Sequence, residues 1–202
     1  MPRENGHIAD LRGVHGAGVY VFLRLFWVIW TALRAPKGPM KLESVLHLRV
    51  LPNDLDFNLH MNNGRYLTLM DLGRIDLTIR GGLLPFIRKN KWAPLLGNCT
   101  IRFRRSLAPF QKYTLRTRLM CWDDKWLYMM QSFETADGKI AALALVRGLF
   151  AGSAGTIPPN ELLALVGVTQ SSPPVPEAYS SWNHVDEALW AQAHDELEGV
   201  TR

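Results

Sequence analysis

The chain has 202 residues, 48% of them apolar, and a formal net charge of +5. That length suits one domain of ordinary size with extensions at its ends, and that apolar share excludes wholesale disorder. Residues 173–202 hold six acids against Arg202, so the tail carries −5 and residues 1–172 carry +10. A basic body suits an anionic ligand, an anionic membrane face or nucleic acid, and charge alone does not choose among them.

Residues 1–16 are rich in Gly and charge and are expected to be loosely ordered. Ala17–Leu33 is nearly all apolar, with Arg24 as its only charge and Tyr20, Phe22, Phe26, Trp27 and Trp30 as aromatics. As a helix it is about 25 Å long at 1.5 Å per residue. That is short for a bilayer span, and an arginine near its middle is costly in lipid. No convincing small-x-small cleavage site follows, which argues against a signal peptide. Three readings stand for this helix. It lies in a membrane interface with Arg34, Lys37 and Lys41 on anionic lipid; it spans a membrane with Arg24 snorkelling; or it packs on the protein's own body or a partner. Pro36, Gly38 and Pro39 read as a linker.

From Leu42 the pattern changes. Val45–Leu51 alternates as a strand does. Tyr66–Ile79 repeats Tyr66, Leu69, Met70, Leu72, Gly73 and Leu77 at helical spacing, with apolar groups on most sides, and predicts a largely buried helix stopped at Gly81-Gly82. Four strand-like runs follow: Leu95–Arg104, Tyr113–Trp122, Trp126–Thr135 and Ile140–Phe150. Asp123-Asp124-Lys125 and Ala136-Asp137-Gly138-Lys139 read as hairpin turns, the Asp-Gly pair being a strong cue. One strand, one long helix and four antiparallel strands are satisfied by a curled sheet of about five strands wrapped around one central helix, an α+β fold. Pro158–Val166 predicts a short helix, Thr169–Pro176 a linker, and Trp182–Leu197 an acidic helix. The expected division is an N-terminal segment (1–41) with its helix at 17–33, a central domain (42–168), and a linker with the acidic helix (169–202).

Cys99 and Cys121 lie in apolar, strand-like surroundings without a C-x-x-C pair or a zinc pattern. They read as small buried hydrophobes, which fits a reducing compartment and a cytoplasmic location, with peripheral membrane attachment through 17–33 left open.

Between the first strand and the helix stands Asp54-Leu55-Asp56-Phe57-Asn58-Leu59-His60-Met61-Asn62-Asn63-Gly64-Arg65-Tyr66. Asp56, Asn58 and His60 alternate, so an extended turn converges them just before a helix N-terminus, whose free N–H groups favour negative charge. Those groups can hold an oxyanion. Asp56 can act as nucleophile or as general base on water, with His60 orienting an acyl group or transferring a proton and Asn58 positioning either. An ester or thioester is the natural target. The competing reading is an N-cap network, which suits Asn62 and Asn63 as well as a functional role does. A turn or solvent position is expected for Asp54, and a packed aromatic for Tyr66.

The string D-x-D-x-N-x-H-x-N-N-x-x-Y closely resembles the signature of hotdog-fold thioesterases, of the 4-hydroxybenzoyl-CoA thioesterase type and, in D-x-N-x-H, of the acyl-ACP thioesterases. Ile101–Leu107 resembles the family's second strand, and Trp122–Trp126 with Gln131-Ser132-Phe133 its later hairpin. The resemblance covers about residues 42–166. With its N-terminal apolar helix, the chain is similar to the thioesterase superfamily member six group. The resemblance implies a hotdog fold, acyl-thioester hydrolysis, and at least a homodimer (or a dimer of dimers) with sites between subunits. Asp56 aligns with the catalytic carboxylate; Asn58 and His60 align with the Asn and His of the acyl-ACP enzymes. Asn62, Asn63 and Tyr66 fall to substrate binding or support. Leu59 replaces a glycine found in many relatives, which would narrow the pocket or shift the backbone. The implied substrate carries CoA or the pantetheine of acyl carrier protein, and no separate cofactor is expected. The nearest basic group for its phosphates is Arg102, Arg104 and Arg105, with Lys112 just after, and each of them reads equally as a solvated strand charge. Arg102 and Arg104 share one strand face and Arg105 points the other way. The alternative is a non-catalytic hotdog protein that binds acyl-CoA or acyl chains at a membrane. No nucleic-acid-binding motif is present, so no nucleic-acid partner is expected.

Overall fold

A computed structural model describes residues 15–35 and 42–200. The segment expected to be loosely ordered lies outside the described residues up to residue 14, as does the 36–39 linker.

Every strand-like run forms a strand: β1 (Glu43–Arg49), β2 (Ala93–Phe103), β3 (Lys112–Trp122), β4 (Leu127–Thr135) and β5 (Ile140–Gly152). They form one antiparallel sheet in the order β1-β3-β4-β5-β2, so β2, second in sequence, crosses to the far edge. A short sixth strand, β6 (Gly155–Ile157), pairs with β5. The Asp137-Gly138 cue is realised: Gly138 takes φ +77°, and Thr135 and Lys139 close the turn. That left-handed backbone is nearly free of cost only for glycine.

The predicted central helix is α2 (Asn63–Arg80). Asn62 caps it, accepting the Gly64 N–H at 2.8 Å. It stops where Gly82 turns left-handed at φ +82°. Its middle touches the sheet through a glycine. A Cβ on Gly73 would lie 2.2 Å from Thr117 Oγ1, so a larger residue would force helix and sheet apart. There the fully buried Gln131 donates to Met70 O at 2.9 Å and to Thr117 Oγ1 at 2.7 Å, and accepts from Arg74 Nη1 at 2.7 Å. Buried polar groups are tolerated when satisfied in this way. Near the C-terminal end, buried Asp76 binds Arg80 and accepts the Ser44 hydroxyl at 2.6 Å, tying α2 to β1.

The strands alternate where one face is free and are buried on both faces where two layers meet. β1 alternates. β4 is buried almost throughout because α2 covers one face and α5 (Glu177–Val200) the other. Tyr179 and Trp182 of α5 pack with Tyr128 and Cys121. This acidic helix begins five residues earlier than its sequence pattern suggested. Cys121 is buried and Cys99 half-buried, both free thiols, and burial pushes both above the usual thiol range.

The N-terminal helix, α1 (His15–Arg34), packs on the body. Val28 and Ala32 are buried and Leu25 packs on the core. Among the described residues, no helix is long and apolar enough to cross a membrane. The Lys37 and Lys41 contacts expected with anionic lipid lie outside the described residues. The short helix expected over 158–166 forms as α4 (Pro159–Ala164), whereas α3 (Leu84–Asn90) was not signalled by the sequence pattern.

Candidate active site

The signature folds as a closed loop on a buried anchor. Pro52–Asp54 makes a single 3-10 turn. Asp54 is fully buried, not a solvent residue. Its carboxylate receives Arg24 Nη1 at 2.9 Å, Arg24 Nη2 at 2.7 Å and the Leu51 N–H at 2.8 Å. The charge that made α1 awkward in lipid is therefore the partner that makes Asp54 tolerable inside, since a buried carboxylate persists only when paired and hydrogen-bonded. Arg65 reinforces the anchor by donating twice to Asn53 O.

Beyond the anchor, Leu55 and Met61 form an antiparallel bridge that closes residues 55–61 into a small loop. Inside it the Asp56 N–H donates to His60 O at 2.9 Å and the Leu59 N–H to Asp56 O at 3.1 Å. Asp56 Oδ1 accepts the N–H groups of Asn58 at 2.8 Å and His60 at 3.4 Å. One carboxylate oxygen thus holds the turn, and Oδ2 has no hydrogen-bond partner among the described residues. The side chains of Asn58 and His60 are exposed. Leu59 sits at φ +57°, a left-handed position that explains why glycine suits it. Its side chain is 65% exposed, so it fills no pocket of this chain.

Asn62 is the helix cap. Asn63 is exposed at the first position of α2, where its backbone N–H finds no partner among the described residues. Tyr66 is the packed aromatic expected, edge-on to Phe103 at 5.1 Å and Phe133 at 4.7 Å. Burial pushes its phenol up to about 12, against a hydrogen bond from the Leu107 backbone. Phe103 on Tyr66, together with the Met61 N–H on Leu107 O at 3.0 Å, brings the end of β2 beside the loop. Arg102 and Arg104 are exposed there and form no ion pair among the described residues. The strand alternation stops at Phe103, because the N–H groups of Arg104 and Arg105 both bind Ala141 O.

A feature not visible in the sequence is an apolar cavity of about 390 Å³ beneath the C-terminal half of α2. No residue of 54–66 lines it. It begins at Asp71, eight residues past Asn63 or about 12 Å along the helix at 1.5 Å per residue. Asp71 and Arg74 pair three residues apart on a helix that also carries Asp76 and Thr78, so nothing in the sequence pattern set them apart. Among the described residues, no cluster of three or more His, Cys, Asp or Glu side chains could hold a metal ion.

Residues 50–183, more than half of the chain, match the family model of the thioesterase-like superfamily. The chain belongs to that superfamily. Within it, the sequence is similar to Protein THEM6 of Danio rerio, 42% identical over 131 residues that cover 64% of this chain and 65% of that protein. It is similar also to Protein THEM6 of Xenopus laevis, 37% identical over 167 residues covering 81% and 79%. The chain therefore matches just under two thirds of the zebrafish relative's length. In three dimensions it resembles the crystal structure of YbaW, a probable thioesterase from Escherichia coli, with a TM-score of 0.53 at 21% identity, covering 60% of this chain and 97% of that one. At that identity the likeness establishes the fold, and the superfamily member has the hotdog architecture that its signature implied.

Proposed function

We propose that the protein hydrolyses an acyl thioester carried on CoA or on acyl carrier protein, with Asp56 as general base or nucleophile. The observation that carries this is the state of Asp56. One oxygen is held by two backbone N–H groups at the mouth of α2, and the other is free to take a proton from water or to attack. The thioester carbonyl would sit with its oxygen towards the positive end of α2, where the Asn63 N–H is the open donor, and His60 and Asn58 would orient it. When Asp56 takes a proton from water, the hydroxide adds to the carbonyl carbon, the C–S bond breaks, the proton passes to the sulfur and the acid is released beside the thiol. When Asp56 attacks directly, the thiolate leaves and water then cleaves the acyl–Asp56 anhydride. The pantetheine phosphates would lie towards Arg102 and Arg104.

A homodimer fits the same reading. β2 offers an open sheet edge, and the loop tip exposes Phe57 (94%) and Leu59, apolar groups that a second subunit would cover. Attachment to a membrane surface is a second reading. Phe22, Phe26, Trp30 and Leu33 form one exposed stripe on α1, with Arg34 over the Trp30 ring. Deleting α1 would strip the core of Val28, so the suitable variant is Phe22→Ser with Phe26→Ser. Loss of flotation with anionic vesicles is expected, and equal flotation of both proteins contradicts this reading.

The hydrolase test uses purified protein, a panel of acyl-CoAs and acyl-ACPs, and Asp56→Asn. Asparagine keeps the oxygen that accepts from Asn58 and His60, so the loop survives while the base is lost. Activity is expected to fall at least ~100-fold, within the usual range for a general base. No turnover by the wild type, or an equally active variant, would sink the proposal.

A further inference from the structure

We infer that the 390 Å³ cavity under α2 seats an unbranched aliphatic acyl chain that enters beside the Asp71–Arg74 pair. The cavity's chemistry selects that ligand. Apart from Asp71 and Arg74, Thr78 is the only lining residue with a polar side chain, and its hydroxyl is spent on Arg74 O at 2.8 Å. Arg74 itself is engaged by Asp71 and Gln131. Beyond the Asp71–Arg74 pair, no lining side chain offers a free donor to a hydroxyl, amide or second carboxylate, and placing one there would leave it desolvated and poorly matched. The walls are Leu, Ile, Met and Pro, with Phe150 the lone aromatic. A flat aromatic acyl group would lack the ring partners that usually grip it, whereas flexible aliphatic walls suit methylenes.

Burial gives the cavity a direction. Leu83, Leu162 and Leu163 are nearly inaccessible, and Leu95 and Leu96 on β2 are about half-exposed. The closed end is therefore at α4 and the start of α3, and the open end at the edge strand beside exposed Asp71. The size lies within the ~300–1,000 Å³ typical of ligand sites. At roughly 30 Å³ per methylene, close to the share of a water in the liquid, it holds about a dozen carbons. Three of its walls come from outside the sheet and α2: Ile29 of α1, Leu84 and Ile87 of α3, and Leu162 and Leu163 of α4. The helices added to the central fold thus close one end of one compartment.

This assignment rests on the thioester reading only for the chemistry at the chain's carboxyl end, and binding can be read without turnover. The full-length protein and its Asp56→Asn form are titrated calorimetrically with dodecanoate, hexanoate and benzoate. Dodecanoate is expected to bind both forms saturably and at least ~10-fold tighter than hexanoate or benzoate. Ile79→Phe on α2 and Leu84→Phe on α3, both at half-buried lining positions, are each expected to weaken dodecanoate at least ~10-fold and leave hexanoate within ~2-fold. Dodecanoate binding without any thioester cleavage would sustain the cavity and overturn the hydrolase reading. Thioester cleavage without dodecanoate binding, a preference for benzoate, or indifference of whichever filled variants fold would overturn the cavity assignment.

Discussion

Leu59 and Asp54 show how far a residue's meaning depends on backbone and burial. A leucine where the family resemblance implied glycine suggested a narrowed pocket or a shifted backbone; its side chain is largely in solvent, and the cost falls on a left-handed backbone at φ +57°. That conformation costs a non-glycine residue about 1–2 kcal/mol, offset in part by the greater freedom glycine has when unfolded. Leu59→Gly is therefore expected to leave stability unchanged or raise it by up to about 1 kcal/mol in urea denaturation, with thioester turnover retained. A loss of more than about 1 kcal/mol would show that the Leu59 side chain makes stabilising contacts that outweigh its backbone cost. Asp56 and Asp54, two residues apart, have opposite fates. Asp54 is sealed under Arg24, while Asp56 keeps an oxygen free at a helix mouth. Asp56, Asn58 and His60 share one small loop, tied by their backbone to the Asp56 carboxylate, with the Asn58 and His60 side chains exposed. The motif carried no signal that Asp54 would meet an arginine thirty residues upstream.

Among the elements, α1 is the one whose place the sequence left open. Its Arg24 joins Asp54 and Arg49 O, and Val28 and Ala32 complete the core. Removing one partner of a buried pair leaves an uncompensated charge, typically a loss of about 3–5 kcal/mol. Arg24→Met should lower stability by that amount, and adding Asp54→Leu should recover much of it, as measured by urea unfolding of both variants. If the single substitution costs under 1 kcal/mol, α1 is not held as described. α5 is the other instructive helix. Its buried Tyr179, and the bond from Asn183 to the Tyr128 hydroxyl at 2.9 Å, lie on the sheet side of its first turns. Ser and Pro just ahead of it hid that beginning. Its later apolar residues, Val185, Leu189 and Trp190, which marked it as a helix, stay exposed.

Across the whole molecule, four of the five tyrosines share one electrostatic consequence. Burial pushes Tyr66 and Tyr128 up to about 12, and Tyr113 and Tyr179 higher still. An unfolded tyrosine titrates near ~10. Between about pH 10 and 12 the unfolded chain releases protons that the folded one retains, so unfolding becomes more favourable as pH rises. Stability is thus expected to be fully present below about pH 9.5 and to fall steadily towards 12. Phenolate absorbance should appear together with loss of the native circular dichroism; ionisation of several phenols in a still-folded protein would contradict it.

What the sequence determined by itself was local. Strand and helix periodicities, the Asp137-Gly138 turn, the Asn62 cap and the chain order of elements depend on neighbours a few residues apart, and so could be read directly. The signature could be read for the same reason, since its polar groups lie within thirteen consecutive residues. What only the tertiary structure decided joins distant residues: the crossing of β2 to the sheet edge, the burial of Asp54 by Arg24, and the cavity closed by α1, α3 and α4 around Asp71 and Arg74. Hydrophobic burial is non-directional and roughly proportional to area, so it requires these apolar faces to be covered without specifying by which element. Packing in three dimensions makes that choice.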